Sequence, residues 1–352
     1  MTEPVPPRPP FEPHTAHMLA AFVRDGLYVP LDPATIAATR KPVEESRDHV
    51  LRTTGLEHRD LTIPGPDGDL TVAVLRRPDD TEPGPLFLWF HGGGLIQGNR
   101  FSSVDQLAEM IERHGGVIVS PEYRLAPEHP APAGMEDCYS TFLWAVAHAE
   151  ELGGDPDRVF VTGASAGGNL ALAVALAARD RRGPGILGVL APYPMLDDRN
   201  DSVAVRQFWD EGTWTGHDNE VAWDATLRER RGTDDVSYLE APARAEWLGD
   251  LPPIFLDVAS TEPFRDEVVD FASRVWRDGG DAELHVYPGG THVHEVLSAK
   301  SWIGEGVFRA RREWVARLLD PVDPSVTYDH VVASGKYPLL GSGPVETQGV
   351  AR

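Results

Sequence analysis

Hydrophobic positions along the chain fall into eight short runs that are bounded by Gly, Pro or Asp. The runs are rich in β-branched and aromatic residues, which is typical of strands. They lie at residues 56–63, 70–75, 86–90, 117–120, 158–162, 186–190, 254–258 and 283–287. The pattern therefore predicts a sheet of eight strands.

Segments in which apolar residues recur with helical spacing separate the later runs. They lie at residues 104–114, 135–152, 168–181 and 266–278, and a last helix is predicted at 306–319. Short apolar strands that alternate with helices form a mostly parallel sheet with helices on both faces. Only residues 65–69 join the first two runs, so the sheet should begin with an antiparallel hairpin. We therefore predict an α/β fold.

Two stretches, residues 1–50 and 197–250, do not follow this alternation and are expected to form a small helical layer over one edge of the sheet. The first has a proline-rich start and a helical pattern at 17–24. The second contains four of the nine tryptophans, namely Trp209, Trp214, Trp223 and Trp247. These tryptophans either fill the core of the thin layer or form a wall over a substrate pocket, and both interpretations stay open.

Charge and composition limit the partners. The chain has 55 acidic residues against 32 Lys and Arg and a formal net charge of −23. Nucleic-acid binding needs clustered basic residues, which the sequence lacks, so we expect no nucleic-acid partner. The apolar run at 171–178 is too short to cross a bilayer, so we expect no membrane partner. Cys138 is the single cysteine, and residues 1–14 lack the apolar segment of a signal peptide, which predicts a cytoplasmic protein.

The clearest chemical signal is a G-x-S-x-G motif at residues 163–167, directly between a predicted strand and a predicted helix. This context is typical of a nucleophile elbow, a strained turn that projects a serine hydroxyl clear of the backbone. The start of the helix directs free N–H groups at negative charge that forms beside the serine. Ser165 is therefore the predicted nucleophile.

Three consecutive glycines, Gly92 to Gly94, follow the strand at 86–90. The oxyanion that forms when a serine attacks an ester needs backbone N–H donors held close to it, and glycines permit that approach. We predict an oxyanion hole formed by the N–H groups of Gly92, Gly93 and Ala166, the residue after the nucleophile. His91 is expected to support the loop rather than to catalyse.

A serine nucleophile needs a base, and the base needs an acid that orients it. In this fold the acid and the histidine follow two late strands in that order. His292 and His294 both follow the last strand. Four carboxylates lie near the end of the preceding strand: Asp257, Glu262, Asp266 and Glu267. Glu262 is favoured because it lies in the loop, whereas Asp257 lies within the strand and the other two lie in the first turn of a helix, where acids complement the dipole.

At these motifs the chain resembles the hormone-sensitive lipase family, the bacterial family IV esterases, over most of residues 55–320. The shared motifs are HGGG at 91–94, EYRLAPEHPAP at 122–132, EDCY at 136–139, DPDR at 155–158, the serine motif and FRDE at 264–267. The resemblance implies an α/β-hydrolase fold with a small helical cap, His292 as base and Glu262 as acid. Ala164 and Glu262 stand where the family usually has aspartate, and Val293 where it has glycine.

The resulting division has an N-terminal cap segment at 1–50, a core at 51–196 and 251–320, a cap insertion at 197–250 and a C-terminal extension at 321–352. Apolar residues in the extension predict that it packs over the cap or on another subunit of a homodimer. A disordered extension is the alternative.

The predicted function is that of a serine carboxylesterase that cleaves small-molecule esters of short acyl chains, about C2 to C6, through an acyl-enzyme. The reaction requires no metal and no organic cofactor. A lactone, an arylformamide or a secondary-metabolite acyl group is an alternative substrate for the same triad, because specificity depends on pocket shape. A ligand receptor on this fold, like the plant gibberellin receptor, is the alternative from another class, but such receptors lose part of the triad.

Overall fold

All eight predicted strands are present in the computed structural model, which describes residues 4–320. They are β1 (Glu57–Gly65), β2 (Gly68–Arg76), β3 (Gly84–Phe90), β4 (Val117–Pro121), β5 (Gly154–Gly163), β6 (Gly188–Pro192), β7 (Ile254–Ala259) and β8 (Ala282–Tyr287). They form one sheet in the order β1-β2-β4-β3-β5-β6-β7-β8. β1 and β2 form the predicted antiparallel hairpin, β2 is also antiparallel to β4, and the other pairs are parallel. The predicted α/β fold is confirmed.

Eleven α-helices lie in the described residues. They are α1 (Pro13–Arg24), α2 (Val43–Thr54), α3 (Ala108–His114), α4 (Ala133–Ala147), α5 (Ala149–Leu152), α6 (Ala166–Arg181), α7 (Val203–Gln207), α8 (Gly216–Leu227), α9 (Arg265–Arg277), α10 (His294–Leu297) and α11 (Trp302–Leu319). The predicted helix at 135–152 is divided at His148 into α4 and α5. None of the helices in residues 4–320 has both the length and the apolar composition that crossing a bilayer requires.

The centre of the sheet is the core of the molecule. Every residue of β3, β4 and β6 is buried. α6 packs against this centre, and its residues from Ala166 to Ala178 are all buried. Because its side chains are mostly Ala and Leu, the helix approaches the sheet closely along its first turns. This packing fixes the start of α6, and therefore the end of β5, relative to the end of β3.

The N-terminal segment (residues 4–56) contacts both the insertion segment (residues 197–250) and the loop after β8. The Tyr28 hydroxyl and the Leu31 N–H donate to the two carboxylate oxygens of Asp218, each at 2.9 Å. The Glu12 N–H donates to the Gly289 carbonyl at 2.9 Å, and His14 Nε2 lies 2.7 Å from Ser298 Oγ. α1 is thereby bound to the loop that carries His292. The extension at 321–352, with the prediction made for it, lies outside the described residues.

Candidate active site

Ser165 lies between the end of β5 and the start of α6, in the backbone conformation of a strained elbow. Its φ is +59° and its ψ is −120°, a region that residues with a side chain rarely occupy. The flanking glycines are required sterically. A Cβ on Gly167 would lie 1.9 Å from the Phe90 carbonyl oxygen, and one on Gly163 would lie 2.3 Å from the Gly167 carbonyl oxygen. The motif spacing therefore follows from the close packing of α6 on β3 and β5.

Ser165, His292 and Glu262 form one connected arrangement. His292 Nε2 lies 3.0 Å from Ser165 Oγ, and His292 Nδ1 lies 2.6 Å from Glu262 Oε2. All three side chains are buried, at 6% exposure or less. The second Glu262 oxygen accepts the Ala259 N–H at 2.9 Å, which fixes the carboxylate at the end of β7. The structure therefore brings together the three residues that the sequence predicts for the triad.

His294, the competing histidine, is directed to a different set of partners. Its Nε2 lies 2.9 Å from Ser301 Oγ, at the start of α11, and its Nδ1 lies 3.4 Å from Thr15 Oγ1, in α1. Burial lowers the pKa of His294, so the ring stays neutral. His294 therefore ties α1 and α11 to the loop after β8, and of the two candidate histidines it is His292 that contacts Ser165.

The competing carboxylates each have another partner. Asp257 forms a two-hydrogen-bond ion pair with Arg311 at 2.7 and 3.0 Å. Asp266 accepts the Ala204 N–H at 2.8 Å, and Glu267 accepts the Leu196 N–H at 2.7 Å. Burial raises the pKa of Glu267 well above its ordinary value. The sequence-based expectation that Asp266 and Glu267 only complement the helix dipole is thus too simple, because both bind the backbone around the insertion segment.

The glycine loop lies against the elbow. A Cβ on Gly92 would lie 2.9 Å from the Ala164 carbonyl oxygen and 3.4 Å from Ser165 Cβ, and Gly93 has a φ of +113° that favours glycine. Within residues 4–320, the N–H groups of Gly92, Gly93 and Ala166 donate to no backbone carbonyl. They are therefore available to a bound oxygen beside Ser165.

His91 lies behind this loop. Its ring stacks on the Tyr123 ring at a centroid distance of 4.1 Å, and its Nδ1–H donates to the Gly92 carbonyl at 2.8 Å. The Tyr123 hydroxyl donates to the His91 carbonyl at 2.8 Å. Burial lowers the pKa of His91, so the imidazole stays neutral. These contacts hold the backbone of the loop, which is the supporting position that the sequence indicates.

A cleft of about 680 Å³ reaches the glycine loop at Gly92 and Gly93. Its wall comes from α2, from the turn before α3 and from Val296 of α10. Charged side chains of both signs line it, among them Lys41, Glu45, Asp48, Arg52 and Asp105. The cleft therefore opens onto the glycine loop beside the N-terminal segment of the chain.

The four tryptophans of the insertion segment divide between the two interpretations. Trp214 is 8% exposed and lies at the site. Its ring centroid is 6.4 Å from that of His292, and a Cβ on Gly94 would lie 2.6 Å from the Trp214 indole. Trp223 is fully buried and fills the core. Trp209 and Trp247 are on the surface, at 38% and 48% exposure. Only Trp214 forms a wall of the site.

Sequence reasoning missed Tyr193, which packs against the triad. Its ring meets the His292 imidazole edge to face at a centroid distance of 4.8 Å, and its hydroxyl donates to Glu295, which in turn pairs with Arg311. A signal for Arg311 exists in the sequence. It follows Ile303 and Val307 at intervals of four, so it occupies the apolar stripe of α11, where an unpaired charge would be costly.

The fold is that of an α/β-hydrolase, and the buried Ser–His–Glu arrangement has the geometry that a serine nucleophile requires. The chain belongs to the alpha/beta hydrolase fold family, whose sequence profile matches residues 87–296, and within it to the hormone-sensitive lipase-like group. Esterase LipI of Mycobacterium tuberculosis is 33% identical over 238 residues, which are 64% of this chain and 71% of LipI. Carboxylesterase NlhH of the same organism is 31% identical over 311 residues, which are 85% of this chain and 92% of NlhH.

Among solved structures, a bacterial heroin esterase is similar to this protein over nearly its whole length. The TM-score is 0.78 at 32% sequence identity, and the match covers 88% of this chain and 98% of the heroin esterase. The predicted family and the predicted α/β-hydrolase fold are thus confirmed.

Proposed function

We propose that this protein is a serine carboxylesterase that hydrolyses short acyl esters through a covalent acyl-enzyme. The observation that carries the proposal is the continuous line of contacts from Ser165 Oγ to His292 at 3.0 Å and from His292 to Glu262 at 2.6 Å. The named relatives support the esterase class, because LipI is an esterase and NlhH is a carboxylesterase.

The first half of the reaction acylates Ser165. Its Oγ attacks the ester carbonyl while His292 Nε2 accepts the hydroxyl proton, and Glu262 stabilises the imidazolium through Nδ1–H. The N–H groups of Gly92, Gly93 and Ala166 donate hydrogen bonds to the carbonyl oxygen and stabilise its negative charge. The C–O bond to the alcohol then breaks, and His292 gives its proton to the leaving alcohol.

The second half releases the acid and regenerates the enzyme. A water molecule donates a proton to His292 Nε2 and attacks the carbonyl carbon of the acyl-enzyme. The same N–H groups donate hydrogen bonds to the second oxyanion. When the bond to Ser165 Oγ breaks, the proton returns from His292 to the serine, and the carboxylic acid leaves.

A preference for short acyl chains, about C2 to C6, is supported by the position of Trp214. Its indole lies on Gly94 and close to His292, so it narrows the space around the reacting carbonyl. We further propose that residues 1–50 and 197–250 together act as the cap over this site. Lactones, arylformamides and secondary-metabolite acyl groups would react by the same steps, and the shape of this pocket would decide among them. A receptor function is disfavoured, because all three triad side chains are in contact.

We propose a cytoplasmic protein that acts on small molecules without a nucleic-acid or membrane partner. The chain has one cysteine, Cys138, which is buried as a free thiol, and burial raises its thiol pKa well above the ordinary value. It therefore needs no oxidising compartment to fold. The net charge of −23 disfavours polyanions as partners.

The test is a panel of p-nitrophenyl esters and lactones with the wild-type protein and Ser165→Ala. The wild type should cleave acetate and butyrate esters faster than a C12 ester. The variant should stay folded by circular dichroism and lose about 10⁵-fold or more in kcat, as triad knockouts do. A fluorophosphonate probe should label the wild type and not the variant. A folded variant that keeps a tenth of the activity would show that Ser165 is not the nucleophile.

A further inference from the structure

Behind the triad lies a buried network of polar side chains from four separate elements. Arg311 comes from α11, Asp257 from β7, Glu295 from α10, and Tyr193 from the turn after β6. Each of these side chains is 3% exposed or less. The network is therefore isolated from solvent, and none of its members belongs to the triad.

The contacts within the network are short and continuous. Arg311 donates through two nitrogens to Asp257, at 2.7 and 3.0 Å, and through the third to Glu295 Oε1, at 3.0 Å. The Tyr193 hydroxyl donates to the same Glu295 oxygen at 2.5 Å. Glu295 thus accepts both hydrogen bonds on one atom and connects the guanidinium to the phenol.

Burying this network is costly, so its presence calls for an explanation other than stability. Two carboxylates and one guanidinium leave water, and replacing such groups with well-packed apolar residues often stabilises a protein. Burial raises the pKa of Asp257 in spite of its ion pair with Arg311. Burial also raises the pKa of Tyr193 well above its ordinary value, so the phenol keeps its proton and acts as a donor.

Tyr193 and the residues next to it in the chain connect this network to both His292 and Ser165. On the histidine side, the plane of the Tyr193 ring makes an angle of 73° with the imidazole, and the Phe264 ring packs on the same imidazole at 85° with a centroid distance of 5.0 Å. On the serine side, the Ser165 N–H donates to the Pro192 carbonyl at 3.0 Å, and the Met195 N–H donates to the Ser165 carbonyl at 3.1 Å.

The backbone at Tyr193 is held in an unusual conformation. Its φ is +35°, and its N–H donates to the Asp257 carbonyl at 2.7 Å. A residue with a side chain rarely adopts such a φ unless its surroundings enforce it. Here the Asp257 carbonyl and the Glu295 side chain hold Tyr193 in place, and Gln106 Nε2 donates to its hydroxyl at 3.4 Å.

We propose that Tyr193 is a positioning residue for His292 and that Glu295 and Arg311 hold it in its orientation. This inference rests on the proposed function. His292 must direct Nε2 at Ser165, then at the leaving alcohol, then at water, and the rings of Tyr193 and Phe264 restrict its rotation. Glu295, three residues after His292, also anchors the loop that carries the base. Small errors in such an alignment reduce the rate of reaction steeply.

Three variants test the proposal. Glu295→Gln keeps an oxygen that accepts from Tyr193 and Arg311, so kcat should stay within about threefold of wild type. Glu295→Ala removes the acceptor and should lower kcat by about 10- to 100-fold, with KM changed by less than about threefold. Tyr193→Phe keeps the ring and removes the hydroxyl, and kcat should fall by roughly 3- to 10-fold. All rates are measured per active site with p-nitrophenyl acetate, after titration with a fluorophosphonate.

Asp198→Ala is the matched control, because it breaks another two-hydrogen-bond ion pair, between buried Asp198 and partly exposed Arg244, whose members make no contact with the network or the triad. It should lower the melting temperature and leave kcat unchanged. Folded Glu295→Ala and Tyr193→Phe with wild-type kcat would overturn the proposal, as would an equal loss of kcat in Asp198→Ala. If Glu295→Ala does not fold, Tyr193→Phe decides. A wild type without esterase activity would instead refute the proposed function.

Discussion

Glu262 and His292 face each other at 2.6 Å across two loops, although 30 residues separate them in the chain. The Glu262 carboxylate is fixed at its other oxygen by the Ala259 N–H, so its position is set by the end of β7. The resemblance to hormone-sensitive lipases implies an aspartate at this position in most relatives. In this protein the longer glutamate side chain still reaches the imidazole.

Glu262→Gln should therefore keep the shape of the site and impair its chemistry. Glutamine stabilises the wrong imidazole tautomer, and the expected loss in kcat is about 10³- to 10⁴-fold, by analogy with the protease triad. Asp257→Asn keeps an oxygen that accepts from Arg311, and its kcat should fall by less than about tenfold. Steady-state kinetics on butyrate esters measures both. If the ranking is reversed in folded variants, Glu262 is not the acid.

The two histidines of the loop after β8 should respond differently to the same substitution. His292→Asn removes the base and should lower kcat by about 10⁵-fold with little change in melting temperature. His294→Asn loses the contacts with Ser301 and Thr15 and should lower the melting temperature while most of the activity remains. Hydrolysis assays and thermal denaturation on both variants check this. An active His292→Asn would exclude His292 as the base.

Trp214 should limit the length of the acyl chain. Trp214→Ala removes the indole that lies on Gly94, and the preference for a C8 over a C4 ester, as a ratio of kcat/KM, should rise about tenfold. Trp247→Ala is the control, because Trp247 is exposed and packs on Arg179. It should leave the chain-length profile unchanged. An unchanged profile in Trp214→Ala would show that another group limits the acyl chain.

His91 should make the stability of the protein depend on pH. Its pKa in the folded state lies below the ordinary value of 6.5, because burial disfavours the imidazolium. Below about pH 6.5 the unfolded chain takes up a proton that the folded protein does not, so the free energy of unfolding falls as the pH falls toward the folded-state pKa. His294, with a pKa shifted in the same direction, adds to the effect.

Urea denaturation at about pH 7.5 and pH 5.5 measures this dependence. The wild type should unfold at lower urea concentration at the lower pH. In His91→Asn the difference between the two midpoints should be smaller, while exposed His17→Asn should keep the wild-type difference. Equal differences in all three proteins would assign the pH dependence to other groups.

Sequence reasoning succeeded where one local pattern determines the outcome. The eight strands are short, wholly or partly buried runs that turn residues separate, and the elbow glycines are required by contacts that a Cβ would prevent. The predicted family, the α/β-hydrolase fold and the carboxylesterase class are confirmed. The three predicted triad residues also meet in space. Their order along the strands narrowed the candidates, and the loop position of Glu262 together with the family resemblance selected Glu262 and His292.

The parts that the sequence did not predict depend on long-range packing. α8 was missed because buried residues lie all around it, polar Asp218 and Asn219 among them, so it has no amphipathic pattern. The sequence could not show which tryptophans of the insertion segment fill the core and which form a wall of the site. Trp214 and Trp223 differ only in what packs against them. Tyr193 could not be connected to His292, since the two rings come from the turn after β6 and the loop after β8 and meet only in the folded protein.

The contacts of α1 with the loop after β8 also determine when the chain can complete its fold during translation. The Glu12 N–H needs the Gly289 carbonyl, and Thr15 and His14 need His294 and Ser298. The ribosome makes α1 before all eight strands and therefore well before the loop after β8 that receives it. α1 therefore waits without this partner while the intervening strands and helices are made, and it can dock only after the loop that carries His292 has emerged.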